Sequence, residues 1–167
     1  NIKERITTLL FDWGDTLMKD FKCYSGAMCF WEKVELIEGV SEVLPLLSKS
    51  YKCYVVTNAG DSDRELVLMA LNRVGIGNYF KYIYTSKELG YDKSNKLFYI
   101  SILKNINVSP SEVFMIGNDY KKDIENAKIV GINTIYLLND TKNCCFNDYS
   151  KADYIIKKFN ELYNILL

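Results

Sequence analysis

Short β-rich apolar runs alternate along this chain with stretches whose apolar positions recur at helical spacing. Ile6–Phe11 reads as a strand that ends in polar residues. Residues 20–34 are aromatic and irregular. In "GVSEVLPLLSKS" (39–50), Val40, Val43, Leu44 and Leu47 fall at i, i+3, i+4 and i+7, which predicts a helix. "YKCYVVTNAG" (51–60) predicts a buried strand running into a loop. Asp61 or Ser62 is then the expected cap of a helix that continues to about Arg73 and stops at Gly75. "YIYTS" (82–86) is another strand. A helix is expected over Lys93–Asn105, on the spacing of Leu97, Ile100 and Leu103. Ser109-Pro110 opens a turn or short helix, and "EVFMIGND" (112–119) is a strand with polar residues at its carboxyl end. A helix over Asp123–Val130 stops at Gly131. Residues 133–138 and 152–156 complete the strands, and a short helix closes the chain.

Strands separated by helices predict an α/β fold with a central, mainly parallel sheet and helices on both faces. At 167 residues the chain suits one domain with a sizeable core, and it has no repeats, low-complexity segment or interior linker. A single domain over 1–167 is therefore expected. Lys plus Arg equals Asp plus Glu, so no basic surplus supports a nucleic-acid partner. No apolar run approaches the ~20 residues of a membrane span. The first residues lack a secretory pattern, so a cytoplasmic location without a membrane partner is expected. Five cysteines (23, 29, 53, 144 and 145) form no CxxC pair and read as reduced, structural thiols. Cys144 and Cys145 fall in a polar loop.

The chain has no histidine. That excludes Ser-His-Asp and Cys-His catalysis and His-ligated zinc, leaving carboxylates, lysine, hydroxyls, thiols or a bound metal to carry any chemistry. Three expected strand ends carry unusual polar sets: Asp12-Trp13-Gly14-Asp15-Thr16, Thr57-Asn58, and Asn118-Asp119 with Asp123 behind them. In open parallel sheets ligands bind beyond the carboxyl ends of the strands, where the strand order reverses. Gathered there, the carboxylates would repel one another unless a cation lay among them. Hard oxygen donors without imidazole or thiolate favour Mg²⁺.

"FDWGDTL", "VVTNAG", "GYDKSNKLFY" and "VFMIGNDYKKDI" resemble, in that order, the four motifs of the haloacid dehalogenase (HAD) superfamily. The resemblance runs over nearly the whole chain and implies a three-layer, Rossmann-like (HAD-like) domain. It implies a Mg²⁺-dependent phosphohydrolase in which Asp12 attacks phosphorus and becomes an aspartyl-phosphate, covalent catalysis without histidine. By the same resemblance Thr57 and the main-chain amides around Asn58 and Ala59 hold the phosphoryl oxygens, and Lys93 offsets the charge of nucleophile and phosphate. The metal set is Asp12, the Gly14 carbonyl and an acid from the Asn118-to-Asp123 loop.

Two positions depart from the family pattern. Its phosphatases usually carry a second Asp two residues after the nucleophile, to protonate the leaving group and later activate water. Here that residue is Gly14, which keeps a carbonyl for metal but moves no proton. Asp15 is one substitute. A slower or different transfer route, and a degenerate site that only binds phosphate or protein, are the others. In the fourth motif Asn118 fills the first acidic position in one register and Asp119 in another, with Asp123 as the second acid in both. Asp12 to Thr57 is 45 residues and Thr57 to Lys93 is 36, too short for the helical cap domain of many relatives. An open cleft is expected, covered at most by a flap within 20–34, and taking a phosphorylated substrate of small or larger size.

Overall fold

The computed structural model describes residues 2–58, 60–139 and 148–167. Six strands form one sheet: β1 (Thr8–Phe11), β2 (Lys52–Thr57), β3 (Tyr82–Thr85), β4 (Val113–Gly117), β5 (Asn133–Leu137) and β6 (Tyr154–Ile156). Their order is β3-β2-β1-β4-β5-β6 and every pairing is parallel. The helices are α1 (Ile2–Arg5), α2 (Val40–Ser50), α3 (Arg64–Arg73), α4 (Ser86–Leu89), α5 (Leu97–Ile106), α6 (Asn126–Ile129) and α7 (Leu162–Leu166).

The layers follow from side-chain alternation along the strands. Leu9 and Phe11 of β1 face one way, into a core shared with Val55, Ile116, Leu44 and Leu47 of α2, Val67 and Leu71 of α3, and Leu162 of α7. Leu10 faces the other way, onto Val56, Met115, Phe98, Tyr99 and Ile102 of α5, and Ala127 of α6. The sheet is thus covered on both faces, the arrangement expected of parallel strands joined by crossover helices. Complete burial of each such aliphatic or aromatic side chain contributes roughly 1.5–3 kcal/mol.

Chain order reverses between β1 and β4. The chain leaves β1 toward β2 and β3 on one side, then returns to place β4, β5 and β6 on the other. The gap beyond the ends of β1 and β4 is the crevice where this topology binds ligands. Both strands are buried along their whole length and deliver Asp12 and Asn118 to that gap.

Element ends differ from expectation where side chains outside the local pattern decide them. Asp63, rather than Asp61 or Ser62, caps α3, its carboxylate accepting from Leu66 N at 3.0 Å. Helix α5 starts at Leu97, so Lys93 lies in the turn ahead of it. The expected helix at Asp123 is preceded by a wide π-type turn over Tyr120–Glu125 that runs into α6. The aromatic stretch packs: Met28, Cys29 and Trp31 join the core beside α2 and α3, and Tyr24 stacks on Trp31 with ring centroids 5.3 Å apart. Arg73 of α3 ties this flap down by donating to the carbonyls of Cys29 and Trp31. Cys23 is exposed and Cys53 buried; burial pushes the Cys53 thiol up to about 12. Cys144 and Cys145 lie outside the described residues. Among the described residues no helix is long and apolar enough to cross a membrane.

Candidate active site

The backbone of Asp12 extends the sheet by one bond, its N–H donating to Ile116 O at 2.9 Å. The chain then turns tightly. Leu17 N and Met18 N both reach back to Trp13 O, at 2.9 and 3.2 Å, and Asp15 takes a left-handed conformation at φ 60. A non-glycine residue there is uncommon, and short polar side chains such as Asp tolerate it best. The turn buries Thr16 completely and aims its hydroxyl inward. Thr16 Oγ1 lies 3.3 Å from Asp12 Oδ2 and 3.3 Å from Asn118 Oδ1. One hydroxyl carries one proton, so it donates to these two oxygens in turn.

Lys93 reaches the same point from the far side. Gly90, left-handed at φ 78, ends α4 and swings the chain back toward the sheet. The lysine backbone is gripped from the end of β2 and from the start of α6. Its N–H donates to Asn58 Oδ1 at 2.8 Å, and its carbonyl accepts from Asn126 Nδ2 at 2.6 Å. Its ammonium lies 2.6 Å from Asp12 Oδ1 and 2.8 Å from Asp123 Oδ1, with the lysine side chain 3% exposed. Asp123 Oδ2 accepts from Asp119 N at 3.0 Å. Gly117 leaves room for this carboxylate: a Cβ at 117 would stand 2.3 Å from Asp123 Oδ2.

Two buried carboxylates share one ammonium here. Burial pushes the Asp123 carboxyl up to about 7; Asp12 adds to the rise and Lys93 opposes it. Burial pulls Lys93 down, but Asp12 and Asp123 outweigh it and hold the lysine above its ordinary value, charged at neutral pH. Among the described residues no buried side-chain nitrogen or oxygen lacks a partner.

Asp12, Gly14, Asp15, Thr57, Asn58, Lys93, Asn118, Asp119 and Asp123 all line one open cleft of about 420 Å³. Ala59 lies outside the described residues. Within the cleft the candidates divide. Asp12, Thr57, Lys93 and Asp123 are buried at its floor. Asp119 is exposed and spends Oδ1 capping the wide turn at Lys122 N, 3.0 Å away. Asn118, not Asp119, shares the Thr16 hydroxyl with Asp12. Asp15 Oδ1 accepts from Asp20 N at 2.9 Å, so this carboxylate fixes the start of the flap. The sequence reading missed Asn126, which grips Lys93, and Asp20, Lys22 and Ser62, which also line the cleft. None of these stands in a recognisable motif; the chain path alone brings them in.

A divalent cation could be held by the Asp12 carboxylate, the Asn118 amide oxygen and the Gly14 carbonyl. All three are hard oxygen donors, and Thr16 already brings the first two to one hydroxyl. The set fits Mg²⁺ by donor type but carries only one carboxylate. Among the described residues no three acidic or thiol side chains gather around one point.

The family model described as haloacid dehalogenase-like hydrolase matches residues 6–137. YfnB of Bacillus subtilis, described as a HAD-hydrolase, is 28% identical over 133 residues, 79% of this chain and 54% of that protein. The glyceraldehyde 3-phosphate phosphatase of Methanocaldococcus jannaschii is 32% identical over 96 residues, 58% of this chain and 42% of that one. The chain therefore spans about half the length, or less, of these curated relatives. The crystal structure of YfnB bound to magnesium superposes with a TM-score of 0.77 at 20% identity, covering 97% of this chain and 99% of that chain. At that identity the likeness is one of fold.

Proposed function

The chain belongs to the haloacid dehalogenase-like hydrolases, and within that family we propose that it is a Mg²⁺-dependent phosphohydrolase working through an aspartyl-phosphate on Asp12. One observation carries the reading. Asp12 sits at the topological switch point with Lys93 on one carboxylate oxygen and the Thr16–Asn118 pair at the other. A carboxylate so placed meets an incoming phosphate at a point where its charge is offset. Transfer of a phosphoryl group depends mostly on such positioning and neutralisation.

The division of labour follows from the cleft. Asp12 is the nucleophile. Thr57 and the main chain at Asn58 receive phosphoryl oxygens. Lys93, fixed by Asn58 and Asn126, neutralises the negative charge that accumulates between nucleophile and phosphate. Asp123 holds the ammonium in place from behind. Asp12, Gly14 and Asn118 would hold Mg²⁺, which would supply further charge neutralisation. Asn118 is a neutral ligand, so metal affinity is expected to be lower than with an acid there.

The relatives include phosphatases of glyceraldehyde 3-phosphate and of ribulose 1,5-bisphosphate, and a pyrophosphatase. They support a phosphorylated compound as substrate, and the open cleft suits a small or a larger one. A second reading, a catalytically weak phosphate- or protein-binding module, draws on Gly14 and Asn118, two neutral residues at places where acids are usual. Mg²⁺-dependent hydrolysis of 4-nitrophenyl phosphate separates the two. The enzyme reading expects turnover that Asp12→Asn abolishes. Wild type and Asp12→Asn equally inert would overturn the enzyme reading.

A further inference from the structure

Gly14 leaves the expected proton carrier missing, and the structure brings another carboxylate to the same place. A Cβ built on Gly14 would stand 3.6 Å from Asp20 Cβ, 3.8 Å from its Cγ and 3.7 Å from its Oδ2. Asp20 thus lies in contact with the place a Cβ of residue 14 would take, and it lines the cleft together with Asp12. Its position is built. The left-handed Asp15 folds the chain back, and Asp15 Oδ1 holds Asp20 N at 2.9 Å. Asp15, the nearest acid in sequence, spends a carboxylate oxygen on this task.

We propose that Asp20 is the general acid and base of this site, its carboxyl group entering from the flap to do what an acid at position 14 would do. The inference rests on the phosphohydrolase reading above. In the first step an Asp12 oxygen bonds to phosphorus, the bond from phosphorus to the leaving oxygen breaks, and the Asp20 carboxylic acid gives its proton to that oxygen. In the second step the Asp20 carboxylate takes a proton from water. The water oxygen bonds to phosphorus, the bond from phosphorus to the Asp12 oxygen of the acyl phosphate breaks, and phosphate leaves with both carboxyl groups restored. Lys22 Nζ touches Asp20 Oδ2 at 3.0 Å, but the lysine is 81% exposed, so this pair is screened by solvent and exchanges readily. Asp20 itself is 41% exposed, so its carboxyl group is in contact with water.

The test uses two substrates that differ in their need for an acid, with Mg²⁺ present. Phenyl phosphate has a poor leaving group and 4-nitrophenyl phosphate a good one. In Asp20→Asn, kcat/KM for phenyl phosphate is expected to fall about 10²–10⁴-fold, and that for 4-nitrophenyl phosphate less than about tenfold, since kcat/KM reports the phosphorylation step. The slowed second step should produce a burst of 4-nitrophenol. Adding Gly14→Asp to Asp20→Ala, which clears the carboxyl group from beside position 14, should raise the phenyl phosphate rate above that of Asp20→Ala alone, because a Cβ at 14 meets only ordinary contacts. Equal losses on both substrates, or no loss on either, with wild type active, would overturn the role of Asp20 while leaving the phosphohydrolase reading intact. A wild type inert on both substrates would sink the two together.

Discussion

Two lysines in one cleft make similar contacts and do different work. At the floor, Lys93 is 3% exposed and bonds two buried carboxylates at 2.6 and 2.8 Å. At the rim, Lys22 is 81% exposed and bonds Asp20 at 3.0 Å. A buried ion cannot fall back on water when its partner leaves, whereas an exposed one can. The floor is therefore held in one arrangement, as nucleophile and counter-charge require. The rim can exchange partners, as a proton carrier must. The same contrast appears in two glycines. At Gly117 a Cβ would collide with Asp123 at 2.3 Å; at Gly14 the nearest atom to a Cβ is Asp20 Cβ at 3.6 Å. The first glycine is required by packing, and the second only leaves space.

Removing the lysines breaks the comparison most strongly. Lys93→Met strands the Asp12 and Asp123 carboxylates together in a buried place and should cost about 3–5 kcal/mol. Lys22→Ala should stay within about 1 kcal/mol. Urea denaturation in the presence of a chelator reads both; equal shifts of the midpoint would show that the floor pair is no more committed than the rim pair. A smaller effect sharpens the same contrast through the glycines. Gly117→Ala should destabilise by about 1–3 kcal/mol through overpacking against Asp123. Gly14→Ala should remain within about 0.5 kcal/mol. The reverse order of the two midpoints would contradict the geometry.

Much of the fold was legible because it is written locally. The apolar runs of β1, β2 and β4 mark buried parallel strands, and the helical spacing of Val40, Val43, Leu44 and Leu47 marks α2. The gathering of Asp12, Thr57 and Asp123 at one cleft was also readable, since parallel strands deliver their carboxyl ends to one edge; Lys93 came only from the family resemblance. The rest depended on contacts the chain makes only once folded. Lys93 looks like a helix residue from its neighbours, yet Asn58 and Asn126 hold it in a turn. Between Asn118 and Asp119 the sequence offers no choice. The fold gives them different contacts: the Asp119 carboxylate caps the wide turn while Asn118 faces Thr16. Asp20 was invisible for a similar reason: it reaches Gly14 only through the left-handed turn at Asp15 and the hydrogen bond that closes it.

The account stands on Asp12 becoming covalently phosphorylated. The most direct measurement incubates the protein with Mg²⁺ and 4-nitrophenyl phosphate, quenches in acid and maps the peptides by mass spectrometry, using the Asp20→Asn variant to slow breakdown of the acyl phosphate. The account predicts an acid-stable, base-labile phosphate on the peptide carrying Asp12, absent from Asp12→Asn. Turnover with no phosphate on that peptide, or with phosphate on another residue, would contradict it.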